Sequence, residues 1–398
     1  MRTKQKADRT FEQQMERAEP ALAVTNTIAL DTGAQPESVA VSPDGRFVYV
    51  TENQFGNLVV IRNGSASQPV VEKIPVGRGP VGLAVHPQGS IYVANSLAGT
   101  VSVIQRNAST DTHGARATIT LGGAQNNGPW GVVTPGPRGF SFLRPVIRRD
   151  AVLPRAARDI PVCAYVTDAL DGSLTAITPS DLALGPIPLT PGFVPHGIAI
   201  TPAGGRLYVT DARAPGAVAV FDWSTDPLVR TISVGSSPEN VVAPRDFVRG
   251  SGFFDFFRWL FYNNVLSVFD GVGFAYAADT GGNTVSVIKR STNNVVETIT
   301  LGGPSSGPYG IAAFKGRIYV TSAFAGTVSV IERRSNGSHA FREKLDLGGS
   351  AVPHGIAVTP AGNRLYEPAD KGFGRYGRVG AISAVLPVCH TCGQERAP

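Results

Sequence analysis

Apolar and polar positions alternate along most of this chain with a period of two, in short runs broken by Pro, Gly, Asn and Asp. Thr327–Ile331 (Thr-Val-Ser-Val-Ile) and Arg206–Thr210 (Arg-Leu-Tyr-Val-Thr) show it best. Such alternation, rich in β-branched residues and Tyr, predicts half-buried strands rather than helices. The runs also recur as a unit: Pro-x-Gly-Ile-Ala, a Pro/Gly turn, Tyr-Val-Thr-Asp, then Gly-Thr-Val-Ser-Val-Ile. The clearest copies are Pro80–Ile104, Pro195–Phe221, Pro308–Ile331 and Pro353–Val385. A step in the forties that swings between strand pattern and turn residues predicts an all-β fold, a seven-bladed β-propeller of four-stranded antiparallel blades.

The blades open at Pro36, Pro80, Pro129, Pro195, Pro238, Pro308 and Pro353. In each regular blade the pattern predicts strand A at Gly-Ile-Ala, strand B at Leu-Tyr-Val-Thr, strand C at Thr-Val-Ser-Val-Ile, and a following strand D. Pro43–Gly45, Pro202–Gly204 and Pro360–Gly362 supply the chemistry of A–B turns. The last blade has no strand D before the chain stops. Val24–Leu30 reads like the D strands elsewhere, such as Val296–Leu301, so the N-terminal strand is expected to complete blade 7 and close the ring. Closure removes the exposed sheet edges that invite aggregation. The domain plan is a charged N-terminal arm (1–20), a propeller (21–386) with insertions at 136–161 and 243–272, and a C-terminal tail (387–398).

Composition changes this picture little. The charged fraction is 17% and the formal charge is +6, a mild excess that permits an acidic partner without requiring one. Residues 1–20 lack the apolar core of a leader, and no run is long enough to span a membrane. The expectation is an intracellular protein. With only Cys163, Cys389 and Cys392 there is no disulfide framework. Asn63, Asn107 and Asn336 each begin an Asn-x-Ser sequon, readable as a glycosylation site or simply as good turn chemistry.

Tyr-Val-Thr-Asp/Glu/Ser at 49–52, 165–168, 208–211 and 319–322, with Gly-Thr-Val-Ser-Val-Ile nearby, resembles the YVTN-type β-propeller repeat family. Pro-His-Gly-Ile-Ala-Val-Thr-Pro-Ala-Gly-Asn-Arg-Leu-Tyr at 353–366 resembles it too. The resemblance spans about residues 21–386 and implies the propeller fold. Members of that family are often extracytoplasmic or surface-layer proteins without an assigned reaction, and similar seven-bladed rings include sugar-lactone lactonases and streptogramin lyases. A leader-free start departs from the extracytoplasmic pattern.

In a propeller strand A lines the central channel, so the residue after each opening Pro points near its mouth. These residues are Glu37, Val81, Trp130, His196, Glu239, Tyr309 and His354. Aromatic walls and a few polar groups around one opening make a candidate ligand site. His196 or His354 could act as general base, with Glu239 or Glu37 as acid or orienter. The bland alternative is that Pro-His-Gly suits the turn and the imidazole caps backbone groups. Asp168, Asp211, Asp279 and Asn95 end B strands on the same face, and such residues usually bond their own turns. They lack the spacing of a calcium loop, and neither metal nor cofactor is expected.

Both insertions fall between strands A and B, in blades 3 and 5, and so leave the opposite face. The first carries Arg148 and Arg149 within an arginine-rich run; the second packs Phe256, Phe257 and Trp259 into an aromatic run. An arginine arm beside an aromatic arm suits docking of a protein partner, where Arg and Trp dominate binding energy. An anionic membrane surface or single-stranded nucleic acid would also accept it, and packing beneath the ring is the plain alternative. Cys389-His-Thr-Cys392 has the histidine in the wrong place for haem attachment and is one ligand short of a zinc site. The sequence therefore leads to a non-catalytic binding or assembly scaffold working through the insertion face. The alternatives are a lactonase-like or lyase-like enzyme at the His/Glu mouth and nucleic-acid binding through the arginine arm.

Overall fold

The structure is a computed structural model that describes residues 22–64, 69–121, 128–136, 141–143, 160–202, 204–222, 228–244, 273–303, 305–334, 336–348, 350–371 and 377–384. Seven antiparallel blades follow one another in chain order. In blades 1 to 6 strand A begins at the expected proline: Pro36–Val41, Pro80–Val85, Pro129–Val133, Pro195–Ile200, Pro238–Val242 and Pro308–Phe314. Blade 4 shows the regular pattern, with B at Arg206–Asp211, C at Ala217–Asp222 and D at Leu228–Ser233. The alternation seen in the sequence becomes two buried faces, because every blade is sandwiched between neighbours. Its Tyr side packs forward and its Val side packs backward.

The core is accordingly a set of interblade layers. Tyr165, Leu174 and Ile187 of blade 3 meet Ile198, Leu207 and Val209 of blade 4 in one such layer. Each fully buried Leu, Ile or Tyr there contributes about 1.5–3 kcal/mol relative to exposure. Several of the Tyr hydroxyls cross to the next blade. Tyr49 reaches His113, Tyr276 reaches His339, Tyr208 reaches Asn293 Oδ1, and Tyr366 donates to Asn63 Oδ1 at 2.6 Å.

Blade 7 closes the ring as expected. Leu22–Ala29 pairs with strand C at Gly377–Ala384, in register from Leu22↔Ala384 to Ala29↔Arg378 with one irregularity after Val24. Its strand A is broken into Ala351–Pro353 and Ala357–Val358, both on Arg364–Lys371. That strand B is eight residues long, against five or six in the other blades. It also departs from the repeat: Glu367 stands where Val50, Val93, Val166, Val209 and Val320 stand elsewhere.

Of the blade-3 insertion, a short pair is described, Ser141–Leu143 on Ile160–Val162, lying between strands A and B. Arg148, Arg149, Phe256, Phe257 and Trp259 lie outside the described residues, as do the arm, the tail, Cys389 and Cys392. No helix among the described residues is long and apolar enough to cross a membrane.

One repeated hydrogen bond fixes which loops share a face. The residue after strand B donates its N–H to the carbonyl just before the opening Pro. Asn53 to Gln35, Ser96 to Gly79, Ala169 to Gly128, Ala212 to Val194, Thr280 to Ser237 and Ala323 to Gly307 all do so. The B–C turns thus stand beside the D–A loops, around the mouth of the channel.

Candidate functional site at the channel mouth

Strand A carries Pro-x-Gly because the A strands crowd one another around the axis. A Cβ on Gly82 would lie 2.0 Å from Trp130 O, and one on Gly131 would lie 2.3 Å from His196 O. Without those side chains the strands converge on a channel cavity of about 190 Å³, lined by Glu37, Trp130, Glu239 and Tyr309 among others. His196 and His354 stand at its rim, and their neighbours Gly197 and Gly355 line it.

A second repeated residue, the threonine of Tyr-Val-Thr in blades 1, 3, 4 and 6, holds four mouth residues in place: Val81, His196, Glu239 and His354. Thr167 Oγ1 accepts from Gly131 N at 2.7 Å and donates to His196 O of the next blade at 2.8 Å. Thr321 does the same between Gly310 N (2.8 Å) and His354 O (2.6 Å). Thr210 holds Gly197 N and reaches Glu239 O, and Thr51 holds Ser38 N and reaches Val81 O. In blade 7 Pro368 replaces this threonine. There Gly355 N donates directly to Glu37 O at 2.9 Å, and His354 N donates to Pro368 O. The clamp was not foreseen from the sequence; its signal is a Thr that recurs beside the buried Tyr.

The side chains gather as two His–Glu pairs. His196 Nδ1 lies 2.6 Å from Glu239 Oε2, within hydrogen-bond reach, and its ring stacks on Trp130 at 4.4 Å and 16°. His354 Nδ1 lies 3.2 Å from Glu37 Oε2, off the line of a hydrogen bond, and its ring meets Tyr309 edge-on at 5.3 Å. The imidazoles therefore address carboxylates, not the backbone groups that the plain turn reading assigned to them. No donor or acceptor among the described residues meets His196 Nε2.

Burial pushes the Glu37 carboxyl up from its ordinary range, and the charges of Asp370 and Glu239 add to that. His354 pulls it back. Asp370, also raised by burial, is a further acidic neighbour that sequence reasoning missed, because the irregular strand B of blade 7 hides its position. Burial, with Glu37 and Glu239 nearby, holds the Tyr309 phenol far above its usual range, so it stays a neutral donor.

The B-strand carboxylates are turned away from this chemistry. Asp279 accepts from Ser286 and Thr284, Asp211 from Val194 N and Arg213, and Asp168 from Asp171 N. Asn95 donates to Thr100 and Ser102. Among the described residues no three His, Cys, Asp or Glu side chains converge as a metal site would require. Of the sequons, Asn107 and Asn336 are exposed and their Oδ1 atoms accept from Ser109 N and Ser338 N, closing local turns. Asn63 instead holds the seam, donating to Gly45 O and accepting from Tyr366 and Arg364.

Two further His–Glu pairs lie at the outer edge, unpredicted. His113 Nδ1 faces Glu72 at 3.1 Å while Tyr49 Oη meets its Nε2 at 3.0 Å. His339 repeats this with Glu297 (2.5 Å) and Tyr276 (2.8 Å). Phe47 and Phe274 meet the two rings edge-on. Their shared signal is Phe-x-Tyr in strand B followed by Val-Glu in strand D, found in blades 1 and 5.

No model of a known family matches the chain, and no curated protein matches it. Similarity to solved structures is extensive. A streptogramin B lyase matches at a TM-score of 0.64 with 15% identity, covering 91% of this chain and 98% of that one. A catalytically inactive histidine-to-alanine variant of virginiamycin B lyase from Staphylococcus aureus, with quinupristin, matches at 0.64 with 16% identity, covering 92% and 100%. Hydrazine synthase of Kuenenia stuttgartiensis matches at 0.58 with 15% identity, covering 90% and 98%. At such identities the likeness establishes the seven-bladed propeller, and the YVTN-type likeness stays one of motif.

Proposed function

We propose that the chain is an acid–base enzyme of the lyase-like or lactonase-like class, working on a small cyclic molecule at the channel mouth. The observation that carries this reading is the His196–Glu239 pair. One imidazole nitrogen is held by a carboxylate, the ring is stacked on Trp130, and the other nitrogen is left to a ligand. In that arrangement Nε2 takes a proton from the substrate or from water while Glu239 steadies the imidazolium. His354 beside Glu37, with the neutral Tyr309 phenol, supplies the group that returns a proton to the leaving oxygen. The likeness to propellers named as lyases, one inactivated at a histidine, supports the same choice. The scaffold and nucleic-acid readings rest on insertion residues outside those described, so they carry less of the argument.

The test is to incubate the protein with quinupristin and with a panel of γ- and δ-lactones, following products by mass spectrometry. Ring opening by elimination conserves mass, whereas hydrolysis adds one water. The reading predicts turnover of at least one compound, lost in His196→Ala and His354→Ala with the fold intact. Absence of turnover across the panel, or turnover unchanged in both variants, would overturn it.

A further inference from the structure

We infer that the mouth takes an organic cation with a broad apolar body, laid across the ring from blade 6 to blades 2 and 3. This deepens the reading above and rests on the mouth being the working site. The first observation is a collar. Phe55, Leu97, Leu170 and Phe324 occupy the B–C turns of blades 1, 2, 3 and 6 and are 45%, 60%, 69% and 71% exposed. A turn needs no large apolar side chain, and a recurrent set around one opening marks a contact surface. The Leu97, Leu170 and Phe324 side chains press on Gly79, Gly128 and Gly307, so closely that a Cβ on any of those glycines would collide. Each of these glycines stands two residues before a mouth residue: Val81, Trp130 and Tyr309. Collar and mouth are thus one continuous wall.

The order around the ring is the second observation. His354 and Glu37 (blades 7 and 1) form one pair, and His196 and Glu239 (blades 4 and 5) form the other. Between them on one side lie Val81 and Trp130 under Leu97 and Leu170; on the other side lies Tyr309 under Phe324. Two apolar sectors separated by two polar pairs fit a body that spans the opening and presents its polar centre to both pairs.

Charge decides the class. Glu37 and Glu239 line the cavity and Asp370 stands close to Glu37 and His354; burial makes the charged forms of Glu37 and Asp370 costly, and a cation in the cavity offsets that cost. Among the described residues no Lys or Arg side chain lines the cavity. On the rim Arg213 is bound to Asp211, and Arg78 lies against the carbonyl of Leu97. A cation in the cavity that Trp130 and Tyr309 line also gains from their ring quadrupoles.

Rhodamine 6G and fluorescein share one fused-ring body and carry opposite charge, so their fluorescence polarisation with the intact chain tests the inference. Rhodamine 6G is expected to bind, and fluorescein at least tenfold more weakly. The double variant Leu97→Ser/Leu170→Ser, changing only exposed side chains, should weaken rhodamine 6G about tenfold with an unchanged melt. Failure of rhodamine 6G to bind, equal binding of the two dyes, or an unaffected double variant would overturn the inference. A protein without turnover that still shows this dye preference loses the catalytic reading and keeps this one. Turnover without the preference does the reverse.

Discussion

The molecule uses the His–Glu pair twice over, in two settings. At the outer edge His113 and His339 have no exposed side-chain surface, and both ring nitrogens are engaged, one by Glu72 or Glu297 and the other by Tyr49 or Tyr276. At the mouth His196 keeps 17% of its side chain open and commits one nitrogen to Glu239. Residue type and carboxylate partner are the same; what differs is whether the second nitrogen is spoken for. The edge pairs are therefore latches that tie blade 1 to blade 2 and blade 5 to blade 6, whereas the His196 pair leaves one ring nitrogen open at the mouth. Burial lowers the affinity of His113 for its proton, which keeps that latch as a neutral imidazole.

Glu367 sharpens the comparison most, because it is a buried carboxyl that no group among the described residues hydrogen-bonds. Neither oxygen accepts a hydrogen bond, and burial pushes it up to about 8, with Arg378 only partly opposing. A raised carboxyl stabilises the fold fully below its unfolded value, near 4.5, and loses that contribution as pH climbs to the folded value. Unfolding free energy should thus fall between about pH 4.5 and 8, by on the order of 4 kcal/mol from this group. Glu367→Gln should flatten that decline, and Glu367→Val, restoring the residue of most other blades, should raise Tm at pH 8. Denaturant melts across pH check both. The seam is fitted to Glu367: a Cβ on Gly380 would strike its Oε1, so Gly380→Ala should destabilise in the presence of Glu367 and less in Glu367→Val.

Breaking a latch comes next. His339→Ala leaves Tyr276 and Glu297 without their buried partner and opens a cavity, which should cost about 2–4 kcal/mol in a chemical melt. Binding at the mouth should be unchanged. The mirror experiment is smaller in stability: Thr321→Val removes the hydroxyl that joins Gly310 N to His354 O, for about 1–2 kcal/mol. Its sharper readout is weaker ligand binding at the mouth. Least of all, Gln35 and Ser237 precede opening prolines with φ of +47° and +48°, where Gly79, Gly128 and Gly307 stand in other blades. Gln35→Gly and Ser237→Gly should each stabilise by about 0.5–1 kcal/mol, visible as a small rise in Tm.

Much of this was legible in the sequence. Opening prolines set the start of strand A in six blades, and the Val24–Leu30 pattern foretold the closing strand, because period-two alternation maps directly onto a blade sandwiched between neighbours. The mouth residues came from a single offset, the residue after Pro, and the His–Glu neighbours were predictable from blade order alone. The threonine clamps, the edge latches and Asp370 were not, since each depends on which side chain of the next blade faces a given position. Blade 7 shows the limit most clearly. Glu367 and Pro368 replace Val and Thr, strand A breaks, and strand B runs longer than in the other blades. These two substitutions go with altered packing while the period of the repeat is kept.

The most direct test of the account sets His196→Gln beside His339→Gln, measuring Tm and turnover of whichever cyclic substrate the wild-type chain opens. The account predicts that His196→Gln melts within a degree or two of wild type and loses at least a hundredfold in kcat/KM. His339→Gln should melt several degrees lower and keep its turnover at low temperature. Equal activity in the two variants, or a His196→Gln protein that unfolds early and works normally, would contradict the distinction between latch and working site.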